Sequence, residues 1–137
     1  MKPAVGIPPA SVSLLLRLEG LAVGIASIAA YAWSGGNWWL YLLVLAPDLS
    51  FFGMMLGTKR GAMVYNVAHT YLWPAILIAA GMGTPAGVLL PLGLIWMTHI
   101  GVDRALGYGF KYPGAVETTH LGLIGRARKE AGDANAA

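Results

Sequence analysis

Four long apolar stretches follow one another along the chain, and short polar or glycine-rich turns separate them. The stretches cover about residues 12–33, 38–56, 61–80 and 86–103. An α-helix needs about 20 residues to cross a hydrocarbon layer about 30 Å thick. The pattern therefore predicts an all-α protein, a four-helix transmembrane bundle followed by a short interfacial segment.

The two ends of the chain differ from these apolar stretches. Residues 1–11 contain three prolines and predict an irregular lead-in. Residues 104–124 mix polar and aromatic positions, which indicates a re-entrant or interfacial segment with a turn at 112–114. Residues 126–137 are polar and rich in alanine, and they predict a frayed tail. We therefore expect one integral membrane domain, residues 1–125, with a polar tail.

Composition supports a membrane location and excludes several kinds of site. Of the 137 residues, 57% are hydrophobic and only 11% are charged, whereas soluble domains carry about 25% charged residues. Cysteine is absent, so the chain has no disulfide framework and no thiolate metal site. The net charge is +3, but the basic residues do not form a stripe interleaved with aromatic residues. Because nucleic-acid-binding proteins show such a stripe, we expect no nucleic-acid partner.

The positive charges indicate the orientation in the membrane. Lys59 and Arg60 lie in the turn after the second stretch, whereas the turns after the first and third stretches contain no lysine or arginine. The remaining basic residues beyond the fourth stretch are Arg104, Lys111, Arg126, Arg128 and Lys129. Because basic residues favour the cytoplasmic side, both termini and the middle turn are expected to be cytoplasmic.

With this orientation, the ionisable residues of the spans fall at one depth. Glu19, Asp48, His69, His99 and Asp103 all lie within about 12 Å of the cytoplasmic interface, at a rise of about 1.5 Å per residue. Ionisable groups inside a membrane usually face the protein interior and mark a functional site. Each of the four helices thus brings polar side chains to the same layer.

The residue types in this layer favour a transition metal. Two histidines and two carboxylates suit Zn²⁺, Fe²⁺ or Mn²⁺ better than Ca²⁺ or Mg²⁺. The predicted metal ligands are Asp48, His69, His99 and Asp103, and His120 is a further candidate if its segment folds back. A structural interpretation stays open, in which the histidines form interhelical hydrogen bonds and Asp48 pairs with Arg17 or Arg104.

The favoured function is a membrane-embedded hydrolase that acts on a lipid or another amphiphile. A metal ion would lower the pKa of a bound water and make it a nucleophile. The expected catalytic residues are Glu19, as a general base, with Arg104 and Lys111, which would hold an anionic head group.

Two functions from other classes compete with this one. A small proton- or cation-coupled transporter would use the same carboxylates and histidines to relay protons or bind a cation. The outer half of the spans lacks polar residues for a complete path, which a homo-oligomer could supply. The other alternative is a membrane scaffold without catalysis.

Several blocks of the sequence resemble a known family. They are LRLEG (16–20), APDLS (46–50), YNVAHTY (65–71), the stretch 99–113 and THLG (119–122). The chain resembles small bacterial four-helix membrane proteins that are classed only as a domain of unknown function, over about residues 14–124. This resemblance implies a multi-pass protein of the bacterial inner membrane. A more distant similarity to inner-membrane metal-dependent hydrolases implies metal-dependent hydrolysis but transfers no residue roles.

Overall fold

The computed structural model describes residues 6–85 and 87–136, and most of these residues are helical. In chain order, the elements of this part are α1 (Ala10–Trp33), a 3₁₀ helix (Leu40–Leu56), α2 (Thr58–Ala68), α3 (Leu72–Gly83), α4 (Leu89–Leu106), β1 (Lys111–Tyr112), β2 (Ala115–Thr119), β3 (Gly122–Leu123) and α5 (Gly125–Ala136). The predicted helical class is confirmed, and a small sheet is added to it. The first half of the predicted lead-in, residues 1–5, lies outside the described residues.

Two stretches of the described chain are long and apolar enough to cross a membrane. One is Ala10–Trp33, and the other is Thr58–Gly83, which comprises α2, α3 and the turn between them. The helix Leu40–Leu56 is apolar but shorter. Length and composition therefore support membrane association with two candidate spans, and the four-span arrangement stays a prediction.

Large apolar side chains cover much of the outer surface. Trp33 is 92% exposed, Met55 84% and Met82 77%, and exposed leucines follow α1 along much of its length. Soluble monomers rarely expose contiguous apolar patches of more than a few hundred Å². An outer surface of this kind suits contact with lipid.

The third predicted span is interrupted in the structure. Helix α2 ends at Ala68 and α3 begins at Leu72, so the predicted single helix over residues 61–80 is corrected to two helices. Such a break leaves carbonyl groups without a helical partner. The indole of Trp96 donates to the Ala68 carbonyl at 2.8 Å. Pro74 lies in the first turn of α3, where its missing N–H costs little.

Glycines allow the helices to approach closely. An added Cβ at Gly101 of α4 would lie 2.6 Å from the backbone nitrogen of Gly24 and 2.8 Å from the carbonyl oxygen of Gly20, both in α1. Gly20 and Gly24 are four residues apart and form a GxxxG pattern, which favours close packing of membrane helices. The contact places the C-terminal half of α4 directly against α1.

The C-terminal segment is more ordered than the sequence predicts. Strands β1, β2 and β3 form an antiparallel sheet in that order, with Gly114 at φ +83° in the first turn. The predicted frayed tail forms helix α5, because its alanines, arginines and lysine favour a helix. Glu117 accepts a hydrogen bond from the backbone of Ala127 at 3.1 Å and thereby satisfies a free N–H in the first turn of α5.

Candidate metal centre

Three helices place four ionisable side chains in one cluster. Asp48 comes from the 3₁₀ helix directly after Pro47, and His69 follows the last residue of α2. His99 and Asp103 lie one turn apart on α4, so they share a helix face. One ligand atom from each of the four residues lies within 4.8 Å of the other three. We call these four residues the His/Asp cluster.

The nitrogen atoms of the two histidines are the centre of the cluster. Nε2 of His69 lies 3.1 Å from Nε2 of His99. Oδ2 of Asp103 lies 3.4 Å from Nε2 of His69 and 3.5 Å from Nε2 of His99. Oδ1 of Asp48 lies 3.8 and 3.5 Å from the same two nitrogens. Each carboxylate thus contacts both histidines.

The backbone determines the tautomer of His69. Its Nδ1 lies 2.9 Å from the carbonyl oxygen of Tyr65. A carbonyl oxygen only accepts, so Nδ1 carries the hydrogen and donates it. In the neutral ring, Nε2 therefore presents a lone pair to the cluster. Orientation of a histidine by a hydrogen bond from its second nitrogen is a common feature of metal ligands.

The distances match those between ligands of a single metal ion. Zinc lies about 2.0–2.1 Å from a histidine nitrogen or a carboxylate oxygen, so the edge of a tetrahedral site is about 3.3 Å. The five nitrogen–nitrogen and nitrogen–oxygen separations given above, from 3.1 to 3.8 Å, bracket this edge. Small shifts of the side chains would suffice to complete a coordination sphere.

The cluster is buried on the histidine side and open at Asp48. The side chains of His69 and His99 are 4% and 6% exposed, Asp103 is 18% exposed, and Asp48 is 44% exposed. Water or a substrate would therefore approach from the side of Asp48.

Tyr65 forms one wall of the cluster, and it is not among the site residues that the sequence predicts. Its ring stacks on His69 with the centroids 3.8 Å apart, and its hydroxyl lies 3.4 Å from Oδ2 of Asp103. Tyr65 and His69 are four residues apart on one helix face, and this spacing is the signal in the sequence that could have shown the contact.

Lys111 lies beside the cluster, and Asn66 holds it there. The Asn66 side chain donates to the Lys111 carbonyl at 2.9 Å and accepts from the Lys111 N–H at 2.7 Å. The ammonium group lies 4.6 Å from the centre of the Tyr65 ring. Burial lowers the pKa of Lys111, and the carboxylates of Asp103 and Glu117 oppose this change. Through these two hydrogen bonds Asn66 anchors β1 to α2.

The comparisons with known proteins give a family. The profile described as Domain of unknown function (DUF4260) matches residues 13–124. The chain belongs to this family. Its matched region contains the whole His/Asp cluster. No curated protein matches the chain, and no solved structure matches it. The similarity to metal-dependent hydrolases is not shown by these comparisons.

In this DUF4260 chain, His120 lies outside the His/Asp cluster. Its Nδ1 lies 2.8 Å from the Phe110 backbone nitrogen, and its Nε2 lies 3.1 Å from Nη1 of Arg104. Burial and the nearby Arg104 charge lower the pKa of His120. The structure therefore places His120 beside a cation, which is an unfavourable environment for a metal ligand.

The other predicted side chains also lie apart from the cluster. Glu19 is exposed and lines a cavity together with Arg104. Arg17 donates to the Ala105 carbonyl at 2.9 Å. Among the described residues, neither Arg17 nor Arg104 forms an ion pair with Asp48. The alternative in which Asp48 pairs with an arginine is therefore corrected, since Asp48 faces the two histidines.

Proposed function

We propose that this chain is an integral membrane protein that binds one divalent transition-metal ion and uses it to hydrolyse an amphiphile. The observation that carries the proposal is the His/Asp cluster, in which four ligand atoms lie within 4.8 Å of one another. Two carboxylates and two histidine nitrogens this close together need a shared counter-charge or shared protons. A divalent cation supplies the counter-charge and accepts the lone pairs of both imidazoles.

The proposed membrane arrangement has four spans with both termini in the cytoplasm. The 3₁₀ helix has 17 residues, and at about 2.0 Å per residue it is about 34 Å long. Helix α4 has 18 residues and is about 27 Å long. Both lengths are close to the thickness of the hydrocarbon layer, about 30 Å. The His/Asp cluster would then lie near the cytoplasmic interface.

The ligand set favours zinc, with iron and manganese as alternatives. Nitrogen and oxygen ligands with separations near a tetrahedral edge suit Zn²⁺. Two histidines with carboxylates also occur at Fe²⁺ and Mn²⁺ sites that keep coordination positions open. The open side at Asp48 would leave room for a water or a substrate oxygen.

An apolar cavity beside the cluster supports an amphiphilic substrate. It has a volume of about 370 Å³, and its lining includes Pro47 and Ala68, the chain neighbours of the ligands Asp48 and His69. The hydroxyl of Ser50 is the one buried side-chain polar atom in this lining that lacks a hydrogen-bond partner within the described chain. A hydrocarbon chain in this cavity would place the polar end of the molecule near the cluster.

The proposed reaction is the hydrolysis of an ester. The oxygen of a water adds to the carbonyl carbon, the bond to the alcohol oxygen breaks, and the departing alkoxide takes up the proton that the water loses. A bound divalent ion lowers the pKa of its water to about 7. Asp48 lies on the open side, and its Oδ2 would accept and return the proton. Glu19 lines a different cavity, so we assign this role to Asp48 and not to Glu19. Lys111 would hold an anionic head group.

Metal analysis tests the first step of this proposal. We expect the wild type, purified in a mild detergent, to retain about one equivalent of Zn²⁺, Fe²⁺ or Mn²⁺ through size exclusion. His99→Ala should lose the metal, because a site with so few ligands does not tolerate the loss of one. The matched control is His120→Ala, which should retain it. A metal-free wild type whose thermal stability is unchanged by Zn²⁺ would contradict the proposal.

A hydrolysis assay tests the second step. Wild-type protein loaded with Zn²⁺ should release p-nitrophenol from p-nitrophenyl octanoate in mixed micelles, and a chelator should abolish the release. If the protein binds metal but releases no p-nitrophenol in a chelator-sensitive way, the proposed metal site would stand and the proposed hydrolase activity would be contradicted.

The contact between the two histidines favours one second candidate, a proton-coupled carrier. Nε2 of His69 and Nε2 of His99, 3.1 Å apart, can share one proton without a metal, and Asp103 and Asp48 extend this path in two directions. Such a carrier would hold no metal. Proton uptake in vesicles driven by a pH gradient, and its loss in Asp48→Asn, would favour it over the hydrolase.

A further inference from the structure

Arg104 is a partly buried cation without an anionic partner. Its guanidinium lies 4.6 Å from the centre of the Tyr71 ring and 4.9 Å from the centre of the Phe110 ring. Within the described chain, no carboxylate lies within 4.0 Å of it. A cation removed from water normally has a paired anion or hydrogen-bond acceptors. The aromatic faces offer only part of that stabilisation.

Two hydrogen-bond donors at this place lack acceptors. Nε of Arg104 and the hydroxyl of Tyr71 are buried, and neither has a hydrogen-bond partner among the described residues. Both residues line one cavity of about 390 Å³. Buried polar groups are almost always hydrogen-bonded, so two unpaired donors at one cavity indicate a missing acceptor.

His120 lies against the guanidinium of Arg104 but does not supply the missing acceptor. The Phe110 N–H donates to Nδ1 of His120 at 2.8 Å, while Nη1 of Arg104 lies 3.1 Å from Nε2. A neutral imidazole accepts at only one nitrogen. Because Nδ1 accepts from the backbone, Nε2 carries the hydrogen and directs it at the guanidinium. Two donors 3.1 Å apart leave no room for an anion between them. His120 therefore supplies Arg104 with no acceptor, and its ring lines a different cavity.

We propose that Arg104 and Tyr71 form a binding site for a phosphate group in this cavity. Tyr71 directly precedes α3 and Arg104 lies in α4, so the two donors come from different segments of the chain. A tetrahedral phosphate offers acceptor oxygens in several directions, whereas a carboxylate offers two in one plane. This site uses none of the ligands of the His/Asp cluster and does not depend on metal binding.

The residues that line the cavity indicate whether free phosphate or a phospholipid head group would bind. Glu19 also lines this cavity. Its negative charge repels a phosphate dianion more strongly than it repels a phosphodiester, which carries a single negative charge. The remaining lining on α1 includes the apolar residues Leu16, Ala22 and Val23. The head group of a phospholipid combines a phosphodiester with apolar chains, so it fits this lining better than free phosphate does.

Lipid binding measured by native mass spectrometry tests the proposal. The detergent-purified full chain is mixed with phosphatidylglycerol, or with diacylglycerol, which lacks the phosphate. We expect retention of phosphatidylglycerol alone. Arg104→Gln should weaken retention about tenfold or more, and Tyr71→Phe, which keeps the ring, about fivefold. Arg60→Gln, which removes an exposed positive charge near the start of α2, is the matched control and should leave retention unchanged.

The outcomes separate the possible explanations. Binding of inorganic phosphate to the wild type, with the same loss in Arg104→Gln and no retention of phosphatidylglycerol, would keep the site and assign it to free phosphate. Equal retention of both lipids would overturn the proposal. An equal loss in Arg60→Gln would also overturn it, because it would show general attraction by positive charge. Thermal unfolding of each variant identifies a loss that is due to misfolding.

Discussion

Nε2 of His69 lies 3.1 Å from Nε2 of His99, although 30 residues separate them in the chain. His69 follows the end of α2 and donates from Nδ1 to the Tyr65 carbonyl at 2.9 Å. Its orientation is therefore determined by the backbone of its own helix, whereas the position of His99 depends on the packing of α4. Two imidazoles at this distance cannot both be protonated without strong repulsion. At least one of the two rings is therefore neutral and presents a lone pair to the cluster.

Removal of the Tyr65 hydroxyl should weaken metal binding without loss of the fold. Tyr65→Phe keeps the ring that stacks on His69 and removes the hydroxyl 3.4 Å from Oδ2 of Asp103. Mutation of a group that orients a metal ligand typically lowers metal affinity by about 10- to 100-fold. We expect a loss of about 10-fold here, because the hydroxyl–carboxylate contact is long. A Zn²⁺ titration with a competing chelator measures the change. Tyr41→Phe, which removes a buried hydroxyl elsewhere, should behave like the wild type, and an equal effect of both variants would contradict the role of Tyr65.

The orientation in the membrane can be tested with single cysteines, since the chain has none of its own. Asn37→Cys and Gly83→Cys should react with a membrane-impermeant maleimide from outside the cell, because the positive charge of Lys59 and Arg60 holds the middle turn inside. Thr58→Cys should react only after the membrane is permeabilised. Labelling of Thr58→Cys alone in intact cells would invert the topology and place the His/Asp cluster near the outer face.

The contact between α1 and α4 should be sensitive to one added methyl group. In Gly101→Ala, the new Cβ would lie 2.6 Å from the backbone nitrogen of Gly24, and backbone atoms cannot yield as a flexible side chain can. We expect a loss of about 1–3 kcal/mol in the free energy of unfolding, measured by thermal unfolding in detergent. Gly132→Ala, where nothing lies within 4 Å, should instead be neutral or stabilising by up to about 1 kcal/mol. Similar changes in both variants would show that α1 and α4 do not pack in this way.

His120 should make stability depend on pH. Burial and Arg104 lower its pKa below the ordinary value, so the unfolded chain binds a proton more readily than the folded chain does. The contribution of His120 to the free energy of unfolding is fully present above its ordinary pKa of about 6.5. It is lost as the pH falls through that value towards the lower pKa of the folded state. Comparison of thermal unfolding at pH 8 and pH 5.5 should show a larger decrease for the wild type than for His120→Gln. An identical decrease in both proteins would contradict this assignment.

The apolar pattern of the sequence was sufficient to predict a helical protein and four of its helical regions. Helices form where apolar residues persist over many turns, and this is a local property of the chain. The pattern did not show the break near His69, because Tyr71, Leu72 and Trp73 are compatible with a continuous helix. It also did not show the sheet, whose strands have only two to five residues. Such short strands are stabilised by their partners rather than by their own sequence.

The sequence by itself was sufficient to predict a set of candidate ligands, Asp48, His69, His99 and Asp103, with the carboxylate of Glu19 at the same expected depth. Only the tertiary structure decided which side chains meet. His120 was a candidate only if its segment folded back, and the fold instead places it beside Arg104. Glu19 was expected at the same level and lies elsewhere, because depth along a helix does not specify the direction in which a side chain points. That direction depends on how the helices rotate and pack, and the close contact of Gly101 with Gly20 and Gly24 sets it for α4.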